Sequence, residues 1–176
     1  SALNAGSEKG HADSSYMLAN LFESGFLSQN PDASFKFAQK AAAQGRVASC
    51  LEVAEIYQRK GKHDKALNFL TGPAYSDLSD QQTGRQNYLR YVSQRATNTD
   101  LNLTNESLKI AVLNKNEDAL LEGARMVRTG KESDAGREDI LRAVVTSAMR
   151  ENGPEELATQ LFDEAYRKSD NEKISA

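Results

Sequence analysis

Residues 10–22, GHADSSYMLANLF, and residues 45–57, GRVASCLEVAEIY, decide the fold of this chain. Aligned with a step of 35 residues, both stretches begin with glycine and carry an alanine followed three residues later by an aromatic ring; in the first copy these are Ala19 and Phe22. Residues three and four apart lie on the same face of a helix. The small residue lets a second helix approach closely, and the ring packs beside it. The pattern predicts the first helix of a helix–turn–helix repeat.

Two further steps of this length extend the repeat along the chain. Residues 119–127 form one copy, with Ala124 at the alanine position and Leu121 at a core position. Residues 86–92 form a degenerate copy, because Leu89 stands where the small residue belongs. The predicted steps run near 10–45, 45–80, 80–115 and 115–150, and a terminal helix is expected over 154–168.

Capping residues mark where the other helices begin and end. Pro31, after Asn30, is expected in the first turn of a second helix that continues to residue 44. Thr104 is expected to cap a helix over 108–113, and Asp77 and Asp80 are expected to cap the helix that contains the degenerate copy. Left-handed helix ends are expected at four glycines, Gly25, Gly45, Gly61 and Gly130.

These elements predict an all-α fold, a right-handed α-solenoid of about nine helices that extends over residues 1–176 as one domain. A single repeat cannot bury its apolar face alone, so stacked neighbours complete the core. Residues 1–9 resemble the end of a second helix. The chain is therefore expected to begin inside a repeat and to be a fragment of a longer array.

The charge and composition of the chain argue against several classes of function. The net charge is −3 and no basic stripe is present, which disfavours nucleic-acid binding. No run approaches the roughly 18 apolar residues that a transmembrane helix needs. The chain has one cysteine, so an intrachain disulfide is excluded.

The side chains that carry catalysis or metal binding do not form a recognisable motif. His11 and His63 are the two histidines, and neither has the neighbours that a metal site needs. Cys50 lies one turn before Ala54 on the predicted buried face, where a thiol behaves as a small apolar group. The sequence has neither a phosphate-binding glycine loop nor a nucleophile motif. We therefore expect no catalytic residue, no metal and no cofactor, and we predict that the chain is not an enzyme.

The first repeat resembles a Sel1-like repeat. That family pairs Gly-His-Ala-x-x-x-Tyr-x-Leu-Gly-x-x-Tyr-x-x-Gly with a second helix that ends in Lys-Ala-Ala-x-x-Gly. Residues 10–25 and 40–45 follow this pattern, with Ala19 and Phe22 as variants. Ser34 departs from the pattern, since the family favours alanine there. The next copy is similar to a tetratricopeptide repeat, and the resemblance covers about residues 9–70.

The resemblance implies a scaffold or adaptor that binds other proteins. Many bacterial members of the family are exported, and some organise exopolysaccharide secretion. The runs Gly25-Phe26-Leu27 and Ala54-Glu-Ile-Tyr57-Gln58 resemble the branch of lipoproteins that scaffolds alginate export. A periplasmic location is accordingly favoured over a cytoplasmic one.

If the tetratricopeptide geometry carries over, three positions of each first helix face a concave groove. The hypothesis is a groove that is acidic at one end and basic at the other and grips a peptide or a partner's helix. An ordinary solvated polar face would show the same residues. The predicted partner-binding residues are Asn20, Glu23, Ser24, Glu55, Gln58, Arg59, Arg125, Arg128 and Thr129.

The sequence therefore favours a protein-interaction scaffold, because it has a repeat and no catalytic motif. Two alternatives stay open. One is a structural or oligomerisation segment without a separate client, which self-association without a captured partner would favour. The other is an enzyme or small-molecule-binding domain on a helical scaffold, which a deep pocket with converging polar groups would favour.

Overall fold

The computed structural model of the protein describes residues 2–71, 75, 77–129 and 136–148. Within these ranges the regular structure is entirely helical, which confirms the all-α prediction. The predicted helix over 154–168 lies outside the described residues. The helices in the described ranges are α1 (Ala2–Glu8), α2 (Ala12–Glu23), α3 (Pro31–Ala43), α4 (Val47–Arg59), α5 (His63–Phe69), α6 (Asp80–Ala96), α7 (Leu101–Leu113), α8 (Glu117–Thr129) and α9 (Arg137–Ala148).

The chain divides into two compact units, residues 1–78 (unit 1) and residues 79–176 (unit 2). Unit 1 contains α1 to α5, and unit 2 contains α6 to α9. The single continuous solenoid over residues 1–176 stays a prediction.

Unit 1 is a succession of helices in which each helix packs on the next one in the chain. Part of its core is a cluster of small side chains with aromatic rings packed around them, and Leu51 and Leu70 are also fully buried. The buried cluster contains Ala19, Ala38, Ala42, Cys50 and Val53, and the half-buried rings against it are Phe35, Phe37, Tyr57, Phe69 and Tyr75. The alanine–aromatic pattern of the repeat is therefore the pattern of this core.

The predicted helix ends in unit 1 are confirmed. Gly25, Gly45 and Gly61 have positive φ angles of 77°, 89° and 68°, a conformation that glycine adopts without steric cost. At the start of α3, the Asn30 side chain accepts a hydrogen bond of 3.0 Å from the backbone N–H of Ala33. Gly130 lies outside the described residues.

A buried polar network fastens α1 to the helices that follow it. The hydroxyls of Ser7 and Ser15 lie 2.8 Å apart, and Ser15 Oγ donates to Gln44 Oε1 at 2.8 Å. Gln44 Nε2 in turn donates to the carbonyl of Ser7 at 3.2 Å. Because the two serines are buried, these mutual bonds satisfy groups that water does not reach.

Unit 2 is arranged around α7, which packs against α6, α8 and α9. Its core contains branched aliphatic side chains, including Leu108, Val112, Ile140 and Val144. Gly123 lies against this cluster so closely that an added Cβ atom would stand 2.9 Å from Val144 Cγ2. The closest approach of α8 is therefore made by glycine.

The repeat register predicted for α8 needs a correction. Leu121 was expected at a core position, but it is 60% exposed, while Ala119 and Leu120 are buried. Ala124 is only half-buried and packs at the edge of the core. The small residue of α8 that packs against α9 is Gly123, one residue before the predicted Ala124. A different side of α8 therefore faces α9.

The predicted caps of α6 and α7 were wrong. Ser79 caps α6, in a reciprocal arrangement with Gln82, and Asp80 is the first helical residue. Asp100 caps α7, because its carboxylate accepts hydrogen bonds from the backbone N–H groups of residues 102 and 103 at 2.9 and 3.2 Å. Thr104 is instead a buried helical residue whose hydroxyl donates to the carbonyl of Asp100.

Candidate functional site

Unit 1 has an open cleft of about 340 Å³ between the C-terminal end of α2, the N-terminal half of α3 and the C-terminal end of α4. We call it the unit 1 cleft. Its apolar lining comes from all three helices, and charged side chains stand among the apolar ones. The lining residues are Phe22, Glu23, Gln29, Pro31, Asp32, Ser34, Phe35, Ile56, Arg59 and Lys60.

Ring contacts fix the two phenylalanines of the cleft. Phe22 stacks on Phe37 with ring centroids 5.7 Å apart and planes 6° from parallel. Phe35 meets Tyr57 edge to face at 5.5 Å. The Tyr57 hydroxyl accepts a hydrogen bond of 2.7 Å from Gln39 Nε2, and this bond holds the Tyr57 ring against Phe35. The apolar surface of the cleft is therefore preformed, with both rings set by their neighbours.

Charges of both signs stand around this apolar surface. Glu23 and Asp32 supply carboxylates, and Arg59 and Lys60 supply cations. Lys60 Nζ lies 4.8 Å from the centroid of the Phe35 ring, within the range of a cation–π contact. Among the residues that the structure describes, none of the four charges takes part in an ion pair. A bound partner would meet these charges without first having to break an internal pair.

Two of the predicted site residues, Glu23 and Arg59, line the cleft. Asn20 and Ser24 do not: both are exposed, and the Ser24 hydroxyl is directed back to the carbonyl of Leu21 at 3.4 Å. At 100° per residue, Asn20 and Ser24 lie on the outward face of α2, well away from the buried Ala19. The three predicted positions of α2 therefore belong to different surfaces.

The remaining predicted residues lie elsewhere. Glu55 and Gln58 are half-buried on α4 and do not line the cleft. Arg125 is on α8 in unit 2, where its guanidinium lies 3.7 Å from Glu122 Oε2. The side chains of Arg128 and Thr129 lie outside the described part of the chain. The extended groove with one acidic and one basic end stays a prediction.

The part of α3 that lines the cleft was not predicted as a site. Pro31 was expected only in the first turn of this helix, yet it lines the cleft together with Asp32 and Phe35. Lys60 was not singled out. The sequence feature that could have indicated this site was Phe35, an aromatic residue one helical turn after the start of α3.

Unit 2 has a smaller pocket, of about 210 Å³, between α7 and the start of α9; we call it the unit 2 pocket. Two of its charges form an ion pair, since Lys109 Nζ lies 2.7 Å from Glu106 Oε2. The hydrogen bond that Lys109 donates to Glu106 raises the pKa of Lys109. The lining residues are Asn102, Asn105, Glu106, Lys109, Gly136, Asp139 and Ile140.

Outside the unit 1 cleft and the unit 2 pocket, Cys50 and Tyr91 have shifted pKa values and are held by burial and by hydrogen bonds within the fold. Cys50 is buried, and burial raises the pKa of its thiol, which disfavours the reactive thiolate. In unit 2, Tyr91 donates to Glu122 Oε1 at 3.0 Å and accepts from Arg95 at 2.8 Å. Within the described ranges, no three His, Cys, Asp or Glu side chains are grouped so as to hold a metal ion.

Comparisons with protein-family models, with curated proteins and with solved structures found no match. The Sel1-like resemblance stays a prediction that rests on the motif residues themselves. In the described ranges, no helix combines the length and apolar content needed to cross a bilayer.

Proposed function

We propose that this protein is a non-enzymatic adaptor and that the unit 1 cleft holds a segment of a partner protein. The observation that carries the proposal is the combination of a preformed aromatic surface with four charges that have no ion-pair partner among the described residues. Buried aromatic and arginine side chains are the usual anchors of protein interfaces.

The dimensions of the cleft favour a short protein segment as the occupant. About 340 Å³ accommodates one or two large side chains and lies near the lower limit for a site that encloses a small molecule. Charged groups at the edge suit a chain that passes over the cleft and continues on either side. Apolar contacts would then supply affinity, and edge charges would supply specificity and orientation.

Two broader statements belong to the same proposal. The helix pairs stack as a right-handed solenoid of protein-binding repeats, which the 35-residue step supports. The client is a component of a bacterial envelope or exopolysaccharide secretion assembly, which only the family resemblance supports.

A pair of identical substitutions tests the adaptor proposal. Ser34→Phe places a ring in the unit 1 cleft, whereas Ser24→Phe places the same ring on the outward face of α2. Both variants and the unchanged protein would serve as bait in lysate of the source organism, with quantitative mass spectrometry of the retained proteins. Circular dichroism melts would verify that both variants are folded.

We expect a small saturable set of proteins that the unchanged protein and Ser24→Phe retain and Ser34→Phe loses. If the Ser34→Phe bait retains these proteins and the Ser24→Phe bait loses them, the binding site is on the outward face of α2 and not in the cleft. Equal retention by all three baits, or no retention by any, would reject the cleft as a partner site.

A further inference from the structure

The four charges of the unit 1 cleft differ in how well their own helices compensate them. A helix carries partial positive charge at its N-terminus and partial negative charge at its C-terminus. Asp32 is in the first turn of α3, and Arg59 is the last residue of α4, so both have the sign that their helix end favours. Lys60, the C-cap of α4, is favoured in the same way and also contacts the Phe35 ring.

Glu23 is the exception. It is the last residue of α2, so its carboxylate stands at the negative end of the helix. It has no ion-pair partner among the described residues, and it lines a cleft with an aromatic surface. A residue that opposes its local helix without an internal compensation is a sign of a functional requirement.

We propose that Glu23 determines the selectivity of the unit 1 cleft by pairing with a lysine or arginine side chain of the bound segment. The inference rests on the proposed function, because it assumes that the cleft holds a protein segment. A cationic group at Glu23 would neutralise the one charge among the four of the cleft that its own helix end disfavours.

The apolar surface of the cleft favours this occupant over a compact cation. Lysine and arginine bury an aliphatic stem against apolar surface while the charged end reaches a carboxylate. The face of Phe35 near Lys60 already contacts a cation, so like-charge repulsion disfavours a second cation there. Phe22, next to Glu23 in α2, has no such contact among the described residues and offers its ring to the stem.

Fluorescent peptide pools test the inference directly. Each pool has phenylalanine fixed at the centre of a short peptide and lysine, glutamine or glutamate fixed two positions later, with random residues elsewhere. Fluorescence anisotropy gives the affinity of the full chain for each pool. We expect the lysine pool to bind about two- to fivefold more tightly than the glutamine pool, as for a partly exposed ion pair, and the glutamate pool to bind most weakly.

Three variants sharpen the test. Glu23→Gln should abolish the preference for the lysine pool, and Glu23→Lys should reverse it in favour of the glutamate pool. Glu8→Gln is the matched control: Glu8 is also an exposed glutamate at the end of a helix, but it does not line the cleft. Its preference should equal that of the unchanged protein.

The outcomes separate the inference from the function on which it rests. Equal binding of all pools, abolished by Ser34→Phe, would overturn the role of Glu23 and leave the cleft as a peptide site. Loss of the lysine preference in Asp32→Asn but not in Glu23→Gln would also overturn it. The absence of binding by every pool would reject both.

Discussion

Buried alanines and half-buried aromatic rings make up much of the core of unit 1, whereas the core of unit 2 contains more branched aliphatic side chains. In unit 1 the alanines allow close helix contacts, and the rings surround them, half-buried, with Phe35 lining the cleft. Large aliphatic side chains are fully buried in both units, Leu51 and Leu70 in unit 1 and Leu108 and Ile140 in unit 2. The charges differ as well, because those of the unit 1 cleft lack ion-pair partners among the described residues while Lys109 in the unit 2 pocket is paired. The difference teaches that the unit 1 cleft presents aromatic groups and charged groups that are not engaged in ion pairs within the described ranges, whereas the lysine of the unit 2 pocket is already paired.

The largest expected effect comes from truncating the aliphatic core of unit 2. Leu108→Ala removes a fully buried side chain and should lower the free energy of unfolding by about 2–5 kcal/mol, through lost burial and a cavity. The small buried residues of unit 1 contribute less individually: Ala54→Gly should cost only about 1 kcal/mol, chiefly through helix propensity. Urea denaturation followed by circular dichroism would measure both. Equal losses would show that a small buried residue of unit 1 contributes as much to stability as a large one of unit 2.

The next effect concerns alkaline pH and unit 2. Burial, together with the Glu122 carboxylate, raises the pKa of Tyr91 to about 12. The folded protein therefore keeps this phenol protonated where the unfolded chain has begun to ionise. The corresponding stability is complete below pH about 10 and is lost as pH rises from there to about 12, by about 2 kcal/mol. Tyr91→Phe should reduce the slope of unfolding free energy against pH in this window; an unchanged slope would contradict the assignment.

A smaller effect is expected from the buried hydroxyls. Ser15→Ala should cost about 1–3 kcal/mol, because it leaves Ser7 and Gln44 without their shared partner. In unit 2, Ser147 Oγ makes a single bond of 2.8 Å to the carbonyl of Val112, so Ser147→Ala should cost only about 1 kcal/mol. Thermal melts would compare the two variants. A larger loss for Ser147→Ala would show that the network of unit 1 adds little.

The smallest effect links stability to binding at α2. Glu23→Gln should raise the free energy of unfolding by about 0.3–1 kcal/mol, because it removes a negative charge from a helix C-terminus. Glu8→Gln should give a gain of similar sign at α1. Only the first should weaken binding of the lysine peptide pool. Destabilisation by Glu23→Gln, at low salt, would show that the carboxylate has a favourable partner in the free protein.

Local signals predicted the fold of unit 1 better than that of unit 2. At α3, Asn30 and Pro31 act within one turn, so the sequence alone located the helix start. At α7, Asp100 and Thr104 are both residue types that cap helices well. The structure has Asp100 as the N-cap, so the helix begins earlier than predicted and Thr104 is a buried helical residue. Pattern alone does not rank two such candidates, since the burial of Thr104 depends on tertiary packing.

The candidate site was predicted only in part, for a related reason. Glu23 and Arg59 were found because the repeat predicts exposed positions on successive first helices, four residues after the small residue for Glu23 and five residues after it for Arg59. Asn20 and Ser24 were grouped with them through a family geometry, but their positions around α2 direct them outward. Phe35 and Lys60 join the cleft because α3 and α4 pack against each other, a tertiary contact that the spacing of single residues does not reveal.

Amide hydrogen exchange of the full chain, with and without a protein retained by the Ser24→Phe bait and lost by the Ser34→Phe bait, tests the central claim most directly. If the unit 1 cleft holds the partner, exchange should slow in the loop before α3, at the start of α3 and at the end of α4. Exchange in α7 should be unchanged. Slower exchange around the unit 2 pocket, with none around the unit 1 cleft, would contradict the account.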